Sequence, residues 1–499
     1  MPSRRCAASS TRVAAEALIL AHAFGERYDL PIPLLLFVLG GGLVVLLSFA
    51  LVLRRTATPY DVIGHDADQP PAHGSVGGPV SLVVTAGLVY AGVTGTQELA
   101  ENIVPTAFWL LIWVAVPIAC GLVGDFTRPV NPFAFLARLT DSSRVRRALI
   151  ARDSALPWPR RLGWWPATTL YFLLASGELV FNATATQPRV IATGLLVYAL
   201  INLVAGLLFG AAWLERGEVF SVLFGTWGRL GWFRFGAAGR RGFTGGLPLP
   251  FEPSPSRIMF VLLLLVSVNF DGLLTTPRWD LFERAHVDAG HLEAFRLATF
   301  VVIAAVIAIA FGAFAAAAAR VGRHRLAPLP ALAGLLPSMV PIAFAYLLAH
   351  NLQYVLVNAQ LLGPLIGNPT GTHDLGLPYP FNDTVVPNPT WLPSAFYWYA
   401  GVVAIVGAHV LAVVLAHQYL GRRAADHRLA RRSEYPWLVA MVAYTMVSLT
   451  LIAQPLVTDK ETAAAPASAG PRVLATGLAG PATRAALEHR LDVAVDAAR

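Results

Sequence analysis

An all-α, polytopic membrane bundle of about ten transmembrane helices is the fold class this sequence predicts, on three observations. Its 499 residues are 56% apolar and only 13% charged, about half the charged share of a soluble domain. The apolar residues fall into runs of about 17 to 25, each long enough at about 1.5 Å per residue to cross hydrocarbon about 30 Å thick. The arginines gather in alternate connections between those runs.

Ten runs meet the length criterion: residues 31–53, 80–95, 103–123, 164–181, 190–213, 257–275, 295–319, 337–363, 395–416 and 435–456. Connections 54–79, 124–162, 213–257, 319–329 and 417–434 carry 2, 8, 6, 3 and 5 basic residues. On the opposite side, 93–102 and 364–394 carry none, 182–189 has Arg189, and 276–294 has Arg278 and Arg284. The positive-inside rule puts the arginine-rich set in the cytoplasm, so both termini are expected outside. Four prolines, at 328, 330, 337 and 341, leave one boundary open between an interfacial segment and a kinked crossing.

The formal charge of +8 would suggest nucleic acid in a soluble chain. Here it follows from the cytoplasmic arginines, which stand among Trp158, Trp164, Trp165, Trp227 and Trp232. That composition suits anionic lipid headgroups, so membrane lipids are the expected partners and nucleic acid is not. Lys460 is the one lysine among 37 basic residues, which points to a GC-rich bacterium and its cell membrane. Cys6 and Cys120 are too few and too far apart for a cysteine metal site, and no disulfide is expected.

Residues 1–21, with Arg4, Arg5 and Arg12 before a short apolar run, read either as a signal peptide or as a disordered N-terminus. Cleavage after Ala21 would make His22 an amino terminus. Residues 22–456 form the expected ten-span domain. Residues 457–499 read as a flexible extracytoplasmic tail, with a short amphipathic helix at Pro481–Ala498 that aligns Leu487, Leu491 and Val495. The loop with His65, Asp66, Asp68 and His73 reads as a Gly- and Pro-rich connector before it reads as a metal patch.

Chemistry concentrates where polar residues interrupt the apolar runs. His350 and His409 each lie near the middle of a span. At helical spacing His350, Tyr354 and Asn358 share a face, with Asn351, Gln353 and Gln360 around it. Such a stripe has to face the bundle interior or water. Glu178 and Asp271 stand near the outer ends of their spans, after turns of apolar residues, and a buried carboxylate needs a partner. Two imidazoles can ligate zinc, iron or copper, hold a haem iron axially, or relay protons. Each can equally be satisfied by a neighbour's hydroxyl or carbonyl. Glu98 and Glu101, by contrast, flank a short outer turn and read as solvated. In the outer connection 364–394, Tyr379, Phe381 and Trp391 are candidates for a lid or for interface anchors, and His373 and Asp374 could reach the same vestibule.

The segments HAFGERYDLPIPLLLFVLGG, NFDGLLTTP, AYLLAHNLQYVLVNAQ and WYAGVVAIVGAHVLAVVLAH together resemble a group of bacterial, largely actinobacterial, multi-span membrane proteins commonly named fenitrothion hydrolase-like. The resemblance covers about residues 22–456. Relatives often carry glycine after the first histidine, where this chain has Ala23. The resemblance implies metal-assisted hydrolysis of a hydrophobic phosphoester or related ester at an outward-facing intramembrane site. The residue roles follow from chemistry and not from the resemblance: for such a hydrolysis His350 and His409 are the residues suited to hold a divalent transition metal such as zinc, iron or copper. Asp271 or Glu178 would serve as ligand or general base, and Tyr354 would steady an anionic oxygen. No HxH or HExxH string supports a compact ligand set. The same residues also suit a small-solute or ion transporter with a His/carboxylate path, or a haem-bearing or structural subunit of an envelope complex.

Overall fold

The computed structural model describes residues 76–233 and 245–463, apart from 325, 383–384, 386 and 424–425, together with helical positions 39–40, 42–43 and 46–47. The expected signal segment and His22, the loop of His65 to His73, and the tail helix at 481–498 lie outside the described residues. Two compact units divide the chain, Met1–Val457 and Thr458–Arg499. The bundle belongs to the first.

Among the described residues every regular element is a helix: α1 (Gly77–Thr94), α2 (Ile103–Val123), α3 (Pro132–Thr140), α4 (Ser143–Ile150), α5 (Trp165–Leu179), α6 (Pro188–Phe209), α7 (Val219–Trp227), α8 (Pro255–Leu274), α9 (Pro277–His286), α10 (Leu292–Val321), α11 (Pro328–Leu335), α12 (Val340–Asn358), α13 (Ser394–Gly421) and α14 (His427–Ala463). Seven stretches, containing α1, α2, α6, α8, α10, α12 and α13, are long and apolar enough to cross a membrane. The chain is a multi-pass membrane protein. At 15 residues α5 is about 22 Å long, and the short helix Asn182–Ala185 follows it.

Helix starts follow from local chemistry. Proline occupies the first helical position of α3, α6, α8 and α9, where its missing N–H is not needed and its φ is already helical. Asn131 accepts from the N–H groups of Phe133 and Ala134 at the start of α3, and Ser254 accepts from Arg257 at the start of α8. Asn102 both caps α2 and donates to the carbonyls of Ala91 and Thr96, tying together the turn between α1 and α2.

At the centre stands α8. Its residues from Phe260 to Val266 are all buried, and it packs against α5, α10, α11 and α12. Close approach elsewhere depends on small residues. A Cβ on Gly92 of α1 would lie 2.6 Å from the Pro188 carbonyl oxygen of α6, and one on Gly206 of α6 would lie 2.2 Å from that of Ala137 in α3.

Two expectations are refined. The connection 213–257 was expected to be a cytoplasmic loop, but it contains α7, whose Val219, Phe220, Leu223 and Trp227 are buried. A nine-residue, mostly apolar helix is too short to cross a bilayer, and the segment is buried instead as a helix capped by Glu218. That carboxylate accepts from the N–H groups of Phe220 and Ser221, the Tyr198 hydroxyl and the Asn131 amide. The proline-rich boundary is also more finely divided than a single span. It forms α11, a 3-10 turn at Leu336–Ser338, and then α12, with Pro328 and Pro341 each in a first turn.

Candidate functional site

Four helices bring polar side chains to one place. On α8, Ser267 and Val268 each lie three or four residues from both Leu264 and Asp271, so the four share a face. On α12, Leu347, His350, Asn351, Tyr354 and Asn358 do the same. From α5 come Tyr171 and Glu178, two turns apart, and from α2 come Trp109 and Trp113.

His350 Nε2 stands 2.5 Å from Asp271 Oδ2, with the side chains 5% and 13% exposed. The carboxylate fixes the imidazole's orientation, as buried polar groups require. Glu178 lies within electrostatic reach of both, and its Oε2 accepts from Trp113 Nε1 at 2.6 Å. Below them the Tyr171 hydroxyl and Ser267 Oγ are 2.9 Å apart, and the Trp113 and Tyr171 rings stack at 5.4 Å.

Trp109 and Trp113 belong to an unusual stretch of α2. Residues Thr106–Ala115 form a π-helix, a rare element that occurs preferentially at functional sites. Trp109 donates its indole N–H to Ala185 O at 3.1 Å, so this segment is bonded at two points to the chain between 178 and 185.

Glu178, Asp271, His350 and Asn351 line two cavities at once. One, of ≈ 60 Å³, is also lined by Leu99, Asn182, Thr186 and Leu361, which belong to or adjoin the connections expected outside. The other, of ≈ 50 Å³, runs deeper to Pro117, Leu223 and Trp227. Each has room for roughly four waters, whereas a cleft for a drug-sized molecule measures about 300–1,000 Å³. The cluster therefore stands between two water-sized spaces, at a depth where titratable groups are costly unless they serve one another.

Of the residues singled out in the sequence, Glu178, Asp271, His350 and Tyr354 surround the outer cavity together. His409 lines neither cavity. Its Nδ1 lies 2.7 Å from Ile405 O and its Nε2 lies 2.6 Å from Thr445 Oγ1, so a helix carbonyl and a neighbouring hydroxyl engage both ring nitrogens. Of the pair expected as donors to a metal or a haem iron, His409 thus has these two partners and His350 has Asp271. Among the described residues no three His, Cys, Asp or Glu side chains are grouped to hold a metal ion. His373 and Asp374 are exposed, as are Tyr379, Phe381 and Trp391, and none of them lines either cavity. The connection 364–394 is pinned by its backbone instead, through Thr96 N to Thr370 O and Ile103 N to Pro369 O.

Sequence reasoning missed Trp113, the donor to Glu178, because a tryptophan in an apolar run looks the same whether it faces lipid or a carboxylate. It also missed Glu218, buried at the head of α7. The signal available there was the apolar run VFSVLFGTW directly after it.

Comparison with models of known protein families, with curated proteins and with solved structures finds no match for this chain.

Proposed function

We propose that this protein is a proton-linked transporter of a small solute or ion, with Glu178, Asp271 and His350 as its protonation site. The observation that carries the reading is that a paired imidazole and carboxylate, His350 and Asp271, line the same two small cavities as a second carboxylate, Glu178, from a third helix. Imidazole–carboxylate groups inside a membrane are the usual means of taking up and passing protons. Interrupted helices at the site add support: the π-helical stretch in α2 and the break after α5 supply irregular backbone beside a cavity, where a membrane protein tolerates it.

The test is flux in proteoliposomes loaded with a pH-sensitive dye, under an imposed pH gradient and membrane potential. Wild-type protein is expected to collapse the gradient faster than protein-free vesicles, and Asp271→Asn and Glu178→Gln to return the rate to background. Equal rates for wild type and both variants would refute the reading.

A second reading is favoured by the His350–Asp271 pair itself. An imidazole oriented by one carboxylate, with Glu178 nearby, is the arrangement through which a general base activates water, and the resemblance to the fenitrothion hydrolase-like group points to ester hydrolysis. Cavities of ≈ 50 and ≈ 60 Å³ would have to open several-fold to admit a hydrophobic phosphotriester. Product formation from a chromogenic phosphotriester, lost in His350→Asn, would decide for this reading over transport.

A further inference from the structure

The outer cavity offers a ligand mostly oxygen. Three asparagines line it, Asn182, Asn351 and Asn358, and each gives its amide nitrogen to a helix carbonyl four residues back: Glu178 O at 3.1 Å, Leu347 O at 3.0 Å and Tyr354 O at 2.8 Å. The amide oxygen is then the end left for a ligand. Asn358 carries this furthest. It is 6% exposed, and its Oδ1 has no hydrogen-bond partner, a deficit that buried polar atoms seldom bear unless something else serves them. Donors on the same wall are spent elsewhere: Thr186 Oγ1 donates to Asn182 O at 2.8 Å, and the Trp109 indole to Ala185 O. Glu178 and Asp271 add carboxylate oxygens, and none of the residues lining the cavity is Lys or Arg.

Such a wall favours a cation, and hard oxygen donors suit an alkali or alkaline-earth ion better than a soft metal. No three His, Cys, Asp or Glu among the described residues are grouped as ligands, so the amides have to supply much of the shell. Charge separates the two kinds of ion. Asp271 is engaged by His350, which makes Glu178 the carboxylate that balances a ligand, and one negative charge matches a monovalent ion. A space of ≈ 60 Å³ holds that ion with a few waters and excludes a bulky organic cation. We infer that the outer cavity binds an alkali cation through Asn351, Asn358 and Glu178 and, resting on the proton-linked reading of the same cluster, that this cation moves against the proton. Its arrival at Glu178 releases one proton and leaves the net charge of the site unchanged.

Sodium is the probe. Binding of radioactive sodium to the full chain in detergent, read by scintillation proximity, is expected to saturate and to be displaced by unlabelled sodium and by acid, and not by choline. Asn358→Leu and Asn351→Leu should each weaken it about tenfold or more. Asn358→Asp, which keeps an oxygen, should bind at least as tightly, and this pairing with Asn351→Leu tests the site even if Asn358→Leu does not fold. No saturable binding, or binding that survives the leucine variants, overturns the cation site; displacement of sodium by micromolar calcium overturns the monovalent assignment. Vesicles loaded with sodium and a pH-sensitive dye, diluted into sodium-free medium at equal pH, should acidify inside. Proton flux that runs under an imposed pH gradient and ignores sodium overturns the exchange and leaves the proton-linked reading standing. Sodium bound by protein that moves no protons supports the site and overturns the exchange together with that reading.

Discussion

His350 on α12 and Asp271 on α8, 79 residues apart in the chain, meet with Nε2 2.5 Å from Oδ2. This polar contact between the two helices lies inside the apolar bundle, with the side chains 5% and 13% exposed. Removing one partner strands the other where water is scarce, which typically costs about 3–5 kcal/mol. Asp271→Ala and His350→Ala should each destabilise the protein by an amount of that order, while the double variant Asp271→Ala/His350→Ala should cost less than their sum. Reversible unfolding in mixed detergent, arranged as a double-mutant cycle, measures the coupling. Strict additivity would show that the pair is not a unit.

The indole of Trp113 should matter as a donor more than as a ring. Trp113→Phe keeps an aromatic side chain against Tyr171 but leaves Glu178 Oε2 without its N–H. A hydrogen bond to a charged or strongly polar acceptor contributes about 1.5–3 kcal/mol. Thermal unfolding of Trp113→Phe should show a loss of that order, and adding Glu178→Gln to it should cost less than Glu178→Gln does alone.

His409 should behave as a structural residue. Its ring joins Ile405 O to Thr445 on α14. His409→Ala is expected to lower stability by about 1–3 kcal/mol and to leave proton flux per folded molecule unchanged, in contrast to His350→Asn. Flux measured on matched amounts of folded protein checks this, and equal losses for the two variants would contradict it.

Glu218 holds the head of α7. Glu218→Ala strips the Tyr198 hydroxyl, the Asn131 amide and two backbone N–H groups of their acceptor at once. A destabilisation of about 3 kcal/mol or more is expected. Limited proteolysis should localise it: new cleavage between 211 and 233 in the variant, and none at the outer connections.

The sequence made the cluster legible for a physical reason that also explains what it concealed. Glu178, Asp271, His350 and Tyr354 interrupt apolar runs, and the energy of burying such groups drives them toward one another whatever the order of the helices. His409 interrupts its run in the same way, yet a carbonyl four residues back and one hydroxyl on the next helix satisfy it. Nothing in its neighbours along the chain distinguishes the two situations. α7 was obscured by length, since its nine residues fall below any spanning criterion and lie in a connection full of arginines. The span positions were readable because hydrocarbon thickness imposes a length. How far apart any two side chains stand is imposed by packing, which a single chain does not display.

The π-helical stretch of α2 constrains how this site can move. Through Trp109 to Ala185 and through Trp113 to Glu178, two indoles rivet that wide spiral to the end of α5, so these parts should travel as one piece. Any widening of the space beside the carboxylate at 178 would then have its freedom on the other flank, where the Asp271–His350 contact joins α8 to α12 and where Leu223 and Trp227 of the buried α7 line the deeper cavity.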